Sequence, residues 1–168
     1  LPIWVTIRAG GDGALLVDLV VGGDDPGWLE GAAADLFALE GVAGVSAAVN
    51  DRPGNAVRVA RSRRLRGRET IRERVGPVEL DLSAAAFSQL NLEVAAAAYT
   101  AAAELAAAAP GGEDAGGAIW DLYCGAGGLG LSVARRRTAG ELAGVDSVPA
   151  GIALAEGNAR RAGVAARY

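Results

Sequence analysis

Hydrophobic and polar positions along the first fifty residues predict two strands, one helix and a third strand. Residues 3–8 and 14–21 are β-branched or alternate in polarity on either side of a glycine-rich turn, which predicts a β-hairpin. Asp24-Asp25-Pro26 offers a helix start, and apolar residues then recur near helical spacing until Gly41: Trp28, Leu29, Ala32, Leu36 and Leu39. The next strand is predicted over residues 42–49.

Further strands are predicted in the basic stretch that follows. The candidates are residues 55–60, 69–75 and 78–82, with turn residues at 50–54 and at Gly76-Pro77. We therefore expect a small α+β domain over residues 1–83.

A long helix is predicted over residues 92–109. It is rich in Ala, Asn91 is a suitable N-cap, and Pro110-Gly111-Gly112 ends it. The Gly-rich and acidic stretch 110–117 predicts a flexible connection. Residues 84–117 are thus expected to link two domains.

The last fifty residues have a β-α-β-α-β pattern. The elements are predicted at residues 118–123, 129–137, 141–146 and 149–162, with a last strand beginning at Val164. This alternation predicts an α/β fold with a parallel sheet covered by helices. Because doubly wound sheets have about six strands, we expect residues 118–168 to hold the N-terminal half of a truncated domain.

The loop after the first of these strands has the glycine spacing of a cofactor-binding loop. It reads Asp-Leu-Tyr-Cys-Gly-Ala-Gly-Gly-Leu-Gly over residues 121–130. Glycines allow a tight turn, and the following helix offers free N–H groups. Asp146 ends the next predicted strand, where an acid can bind both ribose hydroxyls of an adenosine or simply cap a helix.

Two cofactors fit this loop. Gly125, Gly127 and Gly130 satisfy the G-x-G-x-x-G pattern, so an NAD(P)-binding half of an oxidoreductase is one candidate. Asp121 precedes Gly125 by four residues, and this D-x-x-x-G-x-G form favours S-adenosylmethionine. For Cys124 we predict a packing role, because the sequence has no His to act as its base.

Composition narrows the class of protein without naming a function. The chain has 168 residues, 51% of them hydrophobic, and no uninterrupted apolar run long enough for a membrane span. A single Cys excludes an internal disulfide, and no secretory signal is visible. We expect a cytoplasmic location and no membrane partner.

Charge is distributed unevenly. All 16 basic residues are Arg in a chain of net charge −4, and eight of them lie within the 17 positions from Arg58 to Arg74. Arg binds phosphate bidentately and stacks on unpaired bases, which predicts RNA contact at Arg61, Arg63, Arg64, Arg66 and Arg68. The alternative is a solvated strand face whose arginines pair with Glu69, Glu73 and Glu79.

Three separated motifs resemble the RNA uracil-C5 (m5U) methyltransferase family. They are Phe87-Ser88-Gln89-Leu90-Asn91 before a long helix, the glycine loop within residues 119–131, and Gly144-Val145-Asp146 followed by residues 153–158. The resemblance covers about residues 42–168, and its loop ending Gly-Gly-x-Gly-Leu is closest to the branch that methylates 23S ribosomal RNA. It implies a Rossmann-like methyltransferase sheet preceded by a small α+β central domain, with S-adenosyl-L-methionine as cofactor.

The resemblance also implies roles for individual residues. Gln89 and Tyr123 match family residues that contact the cofactor, Asp146 matches the acid that holds the ribose, and Gly125 and Gly127 form the loop around it. The alternatives are a helix-capping Gln, a core Tyr and a helix-capping Asp. Ser88 and Leu92 depart from the family pattern without removing a proposed contact.

The implied reaction is covalent. A cysteine thiolate adds to C6 of a uridine flipped out of its stack, C5 takes the methyl group, and a carboxylate removes the C5 proton before the thiolate leaves. The matching Cys and Glu would lie past Tyr168, so we expect a chain that is inactive by itself. The expected partner of the whole enzyme is RNA, 23S rRNA ahead of tRNA, and a non-catalytic RNA-binding remnant is the alternative.

Overall fold

The computed structural model describes residues 2–23, 25–50, 62–84, 86–109, 117–137 and 141–168. The strands in these ranges are β1 (Pro2–Ala9), β2 (Leu15–Val21), β3 (Val42–Val49), β4 (Ser62–Gly67), β5 (Thr70–Val75), β6 (Val78–Ser83), β7 (Ile119–Leu122), β8 (Leu142–Val145) and β9 (Ala166–Arg167). The helices are α1 (Pro26–Phe37), α2 (Leu92–Ala108), α3 (Gly128–Arg136) and α4 (Pro149–Ala162). The chain forms two compact units, Leu1–Arg72 with Ser83–Ala85, and Glu73–Leu82 with Ala86–Tyr168.

The first unit is a four-stranded sheet with one helix against it. Its strand order is β1-β2-β3-β4, in which β2 and β3 are parallel and the outer pairs are antiparallel. Its core lies between α1 and one face of the sheet, because strand side chains alternate between faces. The core residues are Val17, Leu19, Val21, Leu29, Ala33, Val45, Ala47 and Leu65.

Helix α1 begins where the sequence predicts. The Asp25 carboxylate accepts hydrogen bonds from the N–H groups of Gly27 (3.1 Å) and Trp28 (3.2 Å), as an N-cap does. The helix ends at Phe37, so the prediction that Leu39 is helical is wrong. The N–H of Leu39 bonds to the carbonyl of Leu36 (3.1 Å), a three-residue turn that closes the helix.

The sequence prediction missed β4. The structure has a strand over Ser62–Gly67, antiparallel to β3, where we predicted a connection between two strands. Leu65 is the sole apolar residue of β4, and it is the residue of this edge strand that packs into the core. One apolar residue among arginines does not give the alternating pattern by which a strand is predicted from sequence. The predicted strand at residues 55–60 lies outside the described residues.

Strands β5 and β6 and helix α2 match their predictions to within one residue at each end. Strands β5 and β6 pair in a two-stranded sheet around Gly76-Pro77. Asn91 caps α2, since its side-chain oxygen accepts a hydrogen bond from the N–H of Val94 (3.0 Å).

The second unit carries the predicted parallel sheet. Its order is β7-β8-β9, with α3 and α4 as the crossovers between neighbours. Successive crossovers in one direction place both helices on the same face of a sheet. On the other face Trp120 is 68% exposed and Leu122 is 64% exposed.

Strand β9 begins at Ala166, two residues later than predicted. Gly163 has a φ of 67°, and the N–H groups of Gly163 and Val164 bond to the carbonyls of Arg160 (3.2 Å) and Ala159 (3.1 Å). Val164 therefore closes α4 as part of its C-cap and is not free to extend the strand.

Within the described ranges, no helix is both long enough and apolar enough to cross a membrane.

Candidate functional site

The loop between β7 and α3 turns through three residues with a left-handed backbone. The φ angles are 64° at Tyr123, 52° at Gly125 and 83° at Gly127. Glycine adopts such angles freely, whereas Tyr123 is the one other described residue that has a positive φ. A strained non-glycine residue at the end of a parallel strand is typical of a functional loop.

Asp121 binds the end of this loop from strand β7. It is buried in β7, and its Oδ2 accepts a hydrogen bond from the N–H of Gly130 (2.8 Å), one of the free donors in the first turn of α3. Burial raises the pKa of the Asp121 carboxyl, the bond from Gly130 lowers it, and the nearby Asp146 raises it. The acid therefore fixes the start of α3 at the end of the strand.

Asp146 holds the same loop from the neighbouring strand. Its Oδ2 accepts from the N–H of Gly125 and its Oδ1 from the N–H of Val148, both at 2.8 Å. Helix α4 has Val148 as its N-cap and no side-chain capping bond, so the contact of Asp146 with the N–H of Val148 forms a turn before the helix and is not the helix cap given as the alternative. Each carboxylate oxygen has a second acceptor position, so these bonds leave room for ribose hydroxyls.

A cavity of about 170 Å³ lies beside the loop within the second unit. Three of the five residues predicted to bind cofactor line it: Gln89, Tyr123 and Gly125. Gly127 and Asp146 are not among its lining residues. The apolar part of the wall includes Val75, Leu80, Leu82, Phe87 and Leu92.

Two tyrosines at the loop were not singled out from the sequence. A Cβ on Gly128 would lie 2.7 Å from Cε2 of Tyr99, and one on Gly127 would lie 3.0 Å from the hydroxyl oxygen of Tyr168. Burial raises the pKa of both phenols. Tyr99 is the one aromatic residue of the Ala-rich α2. A single aromatic side chain in such a helix is the sequence signal that could have identified it as a contact of the loop.

Cys124 has the environment of a packing residue. Its side chain is buried, and burial, Asp121 and Asp146 together raise the pKa of the thiol to about 11. The group is therefore a neutral thiol near pH 7, which supports the packing role predicted from the sequence.

The described arginines of the basic run lie in two strands and the turn between them. They are Arg63, Arg64 and Arg66 in β4, Arg68 in the turn, and Arg72 and Arg74 in β5. Neighbouring side chains of a strand point to opposite faces, so Arg63 and Arg64 do not share one surface. Glu69 lies 3.7 Å from Arg64, Glu30 2.6 Å from Arg66, and Asp12 3.4 Å from Arg68. Glu79 lies 2.6 Å from Arg74. Pairing with acids, the alternative to RNA contact, is therefore present at the predicted Glu69 and Glu79, and Glu30 and Asp12 add pairs that were not predicted.

These pairs leave the arginines accessible. The side chains of Arg64, Arg66 and Arg68 are 56%, 41% and 61% exposed, and exposed ion pairs are weak. Arg61 lies outside the described residues. In the part of the chain that the structure describes, no group of three metal-binding side chains occurs.

No family model matches the chain. An uncharacterized RNA methyltransferase of Bacillus cereus is 43% identical over 100 residues, which are 60% of this chain and 20% of that protein. One of Enterococcus faecalis is 38% identical over 98 residues, 58% of this chain and 20% of that protein. The matches thus span about a fifth of the length of these curated relatives, and they support an RNA methyltransferase family.

Solved structures extend the likeness to nearly the whole chain. The tRNA (uracil-54, C5)-methyltransferase of Pyrococcus abyssi, solved with S-adenosyl-L-homocysteine, has a TM-score of 0.67 at 25% identity and covers 97% of this chain and 37% of its own. The M. jannaschii tRNA m1G37 methyltransferase has a TM-score of 0.54 at 15% identity, with 97% and 46% covered. The chain has the α/β fold of S-adenosylmethionine-dependent methyltransferases.

Proposed function

We propose that this chain is part of an RNA methyltransferase that transfers a methyl group from S-adenosyl-L-methionine to C5 of a uridine. The observation that carries the proposal is the loop after β7. Its backbone is held by Asp121 and Asp146, and it lies beside a cavity lined by Gln89 and Tyr123. The likeness to the P. abyssi enzyme over 97% of the chain supports the uracil-C5 reaction.

The cofactor site combines the loop with the segment before α2. Gln89 and Tyr123 contact the cofactor from the cavity, Gly125 and Gly127 bring the backbone close to it, and Asp146 binds its ribose. The cavity of about 170 Å³ is smaller than a complete ligand site of roughly 300 Å³ or more, so it receives one part of the cofactor. The bound cofactor supplies the methyl group, and the chain binds and orients it.

The substrate in this proposal is 23S ribosomal RNA. The loop ending Gly127-Gly128-Leu129-Gly130-Leu131 supports that branch, and the tRNA substrate of the P. abyssi enzyme is the competing case. Exposed Arg63, Arg64 and Arg68 and the half-buried Arg66 contact RNA from an α+β domain of residues 1–83, which residues 84–117 link to the methyltransferase domain. The predicted cytoplasmic location belongs to the same proposal.

The nucleophile and the base belong to another part of the whole enzyme. Cys124 does not fit the nucleophile, because it is buried and its thiol pKa is raised to about 11. The bare sheet face at Trp120, Leu122 and Val145 supports a further part of the protein packed there, since parallel sheets are covered on both faces.

Methylation by the whole protein tests this proposal. Unmodified 23S rRNA and tRNA transcripts would be incubated with S-adenosylmethionine, and digested nucleosides would be identified by mass spectrometry. We expect 5-methyluridine from 23S rRNA and a stable covalent complex with a 5-fluorouridine transcript, because fluorine blocks removal of the C5 proton. Methylation of another base, or of ribose, would overturn the uracil-C5 assignment.

A further inference from the structure

Asn158 is a fully buried polar side chain on the inner face of α4, with an exposed fraction of 0%. Its Oδ1 accepts a hydrogen bond from the N–H of Asp81 (2.8 Å) and another from the guanidinium of Arg161. Its Nδ2 donates to the carbonyls of Asp81 (3.2 Å) and Ala126 (2.9 Å). An Asn amide has two donor and two acceptor positions, so all of them are used.

These partners fix the orientation of the amide. Reversal of the amide would set Oδ1 against two carbonyl oxygens and Nδ2 against an N–H and a guanidinium, so none of the four bonds would survive. A buried amide with every position satisfied specifies one local arrangement, because any shift leaves an unpaired polar group.

The Ala126 carbonyl belongs to the cofactor loop, between the two glycines that take a left-handed backbone. Asp146 binds the N–H of Gly125 and Asp121 binds the N–H of Gly130. Asn158 binds the loop carbonyl between these two points. The loop is thus held by side chains from β7, from the residue after β8 and from α4.

The Asp81 end of the same amide fixes a wall of the cavity. Leu80 and Leu82, on either side of Asp81 in β6, are both buried and both line the cavity. Arg161 adds a separate connection to this strand, since its Nη1 lies 2.6 Å from Oδ2 of Asp81.

We propose that Asn158 is a positioning residue for the cofactor loop, and that it sets the distance between the loop and the β6 wall of the cavity. The identity of the loop's ligand rests on the proposed function, whereas the positioning itself does not.

Asn158→Asp separates the two roles of the amide. The carboxylate keeps both acceptor contacts, with Asp81 N–H and Arg161, but faces the carbonyls of Asp81 and Ala126 without a donor. We expect the amides of residues 125–131 to exchange hydrogen at least about tenfold faster than in the wild type. Amides of β8 should change much less, which distinguishes loop positioning from a general loss of stability.

Two variants on the same helix serve as matched controls. Arg161→Gln removes the Asp81 ion pair and one of the two bonds to Oδ1 of Asn158, but it leaves both donor bonds of Nδ2, so exchange should rise in β6 and change much less in the loop than it does in Asn158→Asp. Glu156→Gln alters an exposed residue of α4 and should change neither segment. Equal exchange in the loop of Asn158→Asp and wild type, or an equal rise across β8 and the loop, would overturn the proposal.

Binding of S-adenosylhomocysteine to the whole protein gives the functional measurement. We expect Asn158→Asp to weaken binding at least about tenfold, and unchanged affinity would contradict the inferred effect on the cofactor. Faster loop exchange in a protein whose wild type does not bind S-adenosylhomocysteine would support Asn158 as the anchor and refute the proposed ligand.

Discussion

The arginine strand β4 and the glycine loop after β7 both concentrate polar residues, but they use them differently. In β4 and the turn after it, Arg64, Arg66 and Arg68 pair with carboxylates at the surface. At the loop, Asp121, Asp146 and Asn158 bind main-chain groups. Exposed ion pairs contribute roughly 0–1 kcal/mol, whereas a hydrogen bond to a charged group contributes about 1.5–3 kcal/mol. Side chains that bind the backbone of a loop are therefore the better guide to a site.

We therefore expect that a substitution can destabilise the sheet that contains β4 without affecting the glycine loop after β7. A Cβ on Gly44 would lie 2.0 Å from the backbone carbonyl oxygen of Arg68, which cannot move without breaking the β3–β4 edge. We expect Gly44→Ala to destabilise the first unit by about 3 kcal/mol in urea denaturation, without faster exchange at residues 125–130.

Gly31→Ala is the matched control in the same unit. Gly31 lies inside α1 with open space around its Cβ position, so alanine there should stabilise the protein by roughly 0.5–1 kcal/mol. If Gly44→Ala accelerated exchange in the loop as much as in β3, the two regions would not be independent.

A smaller but more informative effect is expected at Asp121. Asp121→Ala leaves the N–H of Gly130 without its acceptor, and we expect a loss of about 2 kcal/mol in unfolding free energy. Asp121→Asn can still accept this bond through its amide oxygen and should lose less. Calorimetry should show the tightest binding of S-adenosylhomocysteine by the wild type, weaker binding by Asp121→Asn and the weakest binding by Asp121→Ala. Equal weakening in the two uncharged variants would show that the charge of Asp121, and not its bond to Gly130, matters.

Cys124 gives a pH-dependent effect confined to the second unit. Folding raises the thiol pKa from 9.0 to about 11, so the folded state favours the neutral thiol. The resulting stability is fully present below pH 9 and is lost as pH rises from 9 to about 11. Thermal unfolding of wild type and Cys124→Ala across this range should show a steeper loss in the wild type. If the two proteins lost stability equally with rising pH, the Cys124 thiol would not be the cause of the loss.

The smallest effect on stability is expected in β4. Arg64→Gln with Arg68→Gln removes two exposed ion pairs and should change the unfolding free energy by less than about 1 kcal/mol. If these arginines contact phosphates, the salt dependence of RNA binding should fall by about one power of salt concentration per contact. Arg167→Gln, at an exposed arginine paired with Glu141, is the control and should leave RNA binding unchanged. If the salt dependence of RNA binding were the same in the double variant and the wild type, these arginines would not contact RNA and would only be solvated.

The sequence predicted what local signals specify. Helix starts such as those at Asp25 and Asn91 have the same chemistry in any fold, so α1 and α2 begin where expected. The glycine spacing likewise predicted the loop, and the β-α-β-α-β alternation predicted the parallel sheet around it. The residues that bind the loop were predictable only in part. Asp146 could be singled out because it directly follows the adjacent strand β8, whereas Asn158 reaches the loop from α4.

What escaped prediction depends on contacts between distant residues. Strand β4 pairs with β3 through its backbone, which requires no apolar pattern. Asn158 and Asp81 lie 77 positions apart and meet only after folding. Tyr99 reaches the loop from α2 because Gly128 leaves space for its ring. Such residues are chosen by tertiary packing, and a single sequence does not display it.

Calorimetric titration with S-adenosylhomocysteine and, separately, with NAD tests most directly that the glycine loop is a methyltransferase cofactor site. The account predicts binding of S-adenosylhomocysteine that weakens in Tyr123→Ala, no binding of NAD, and an unchanged affinity in the surface variant Glu156→Gln. Binding of NAD in preference to S-adenosylhomocysteine would contradict it and would assign the loop to a dinucleotide.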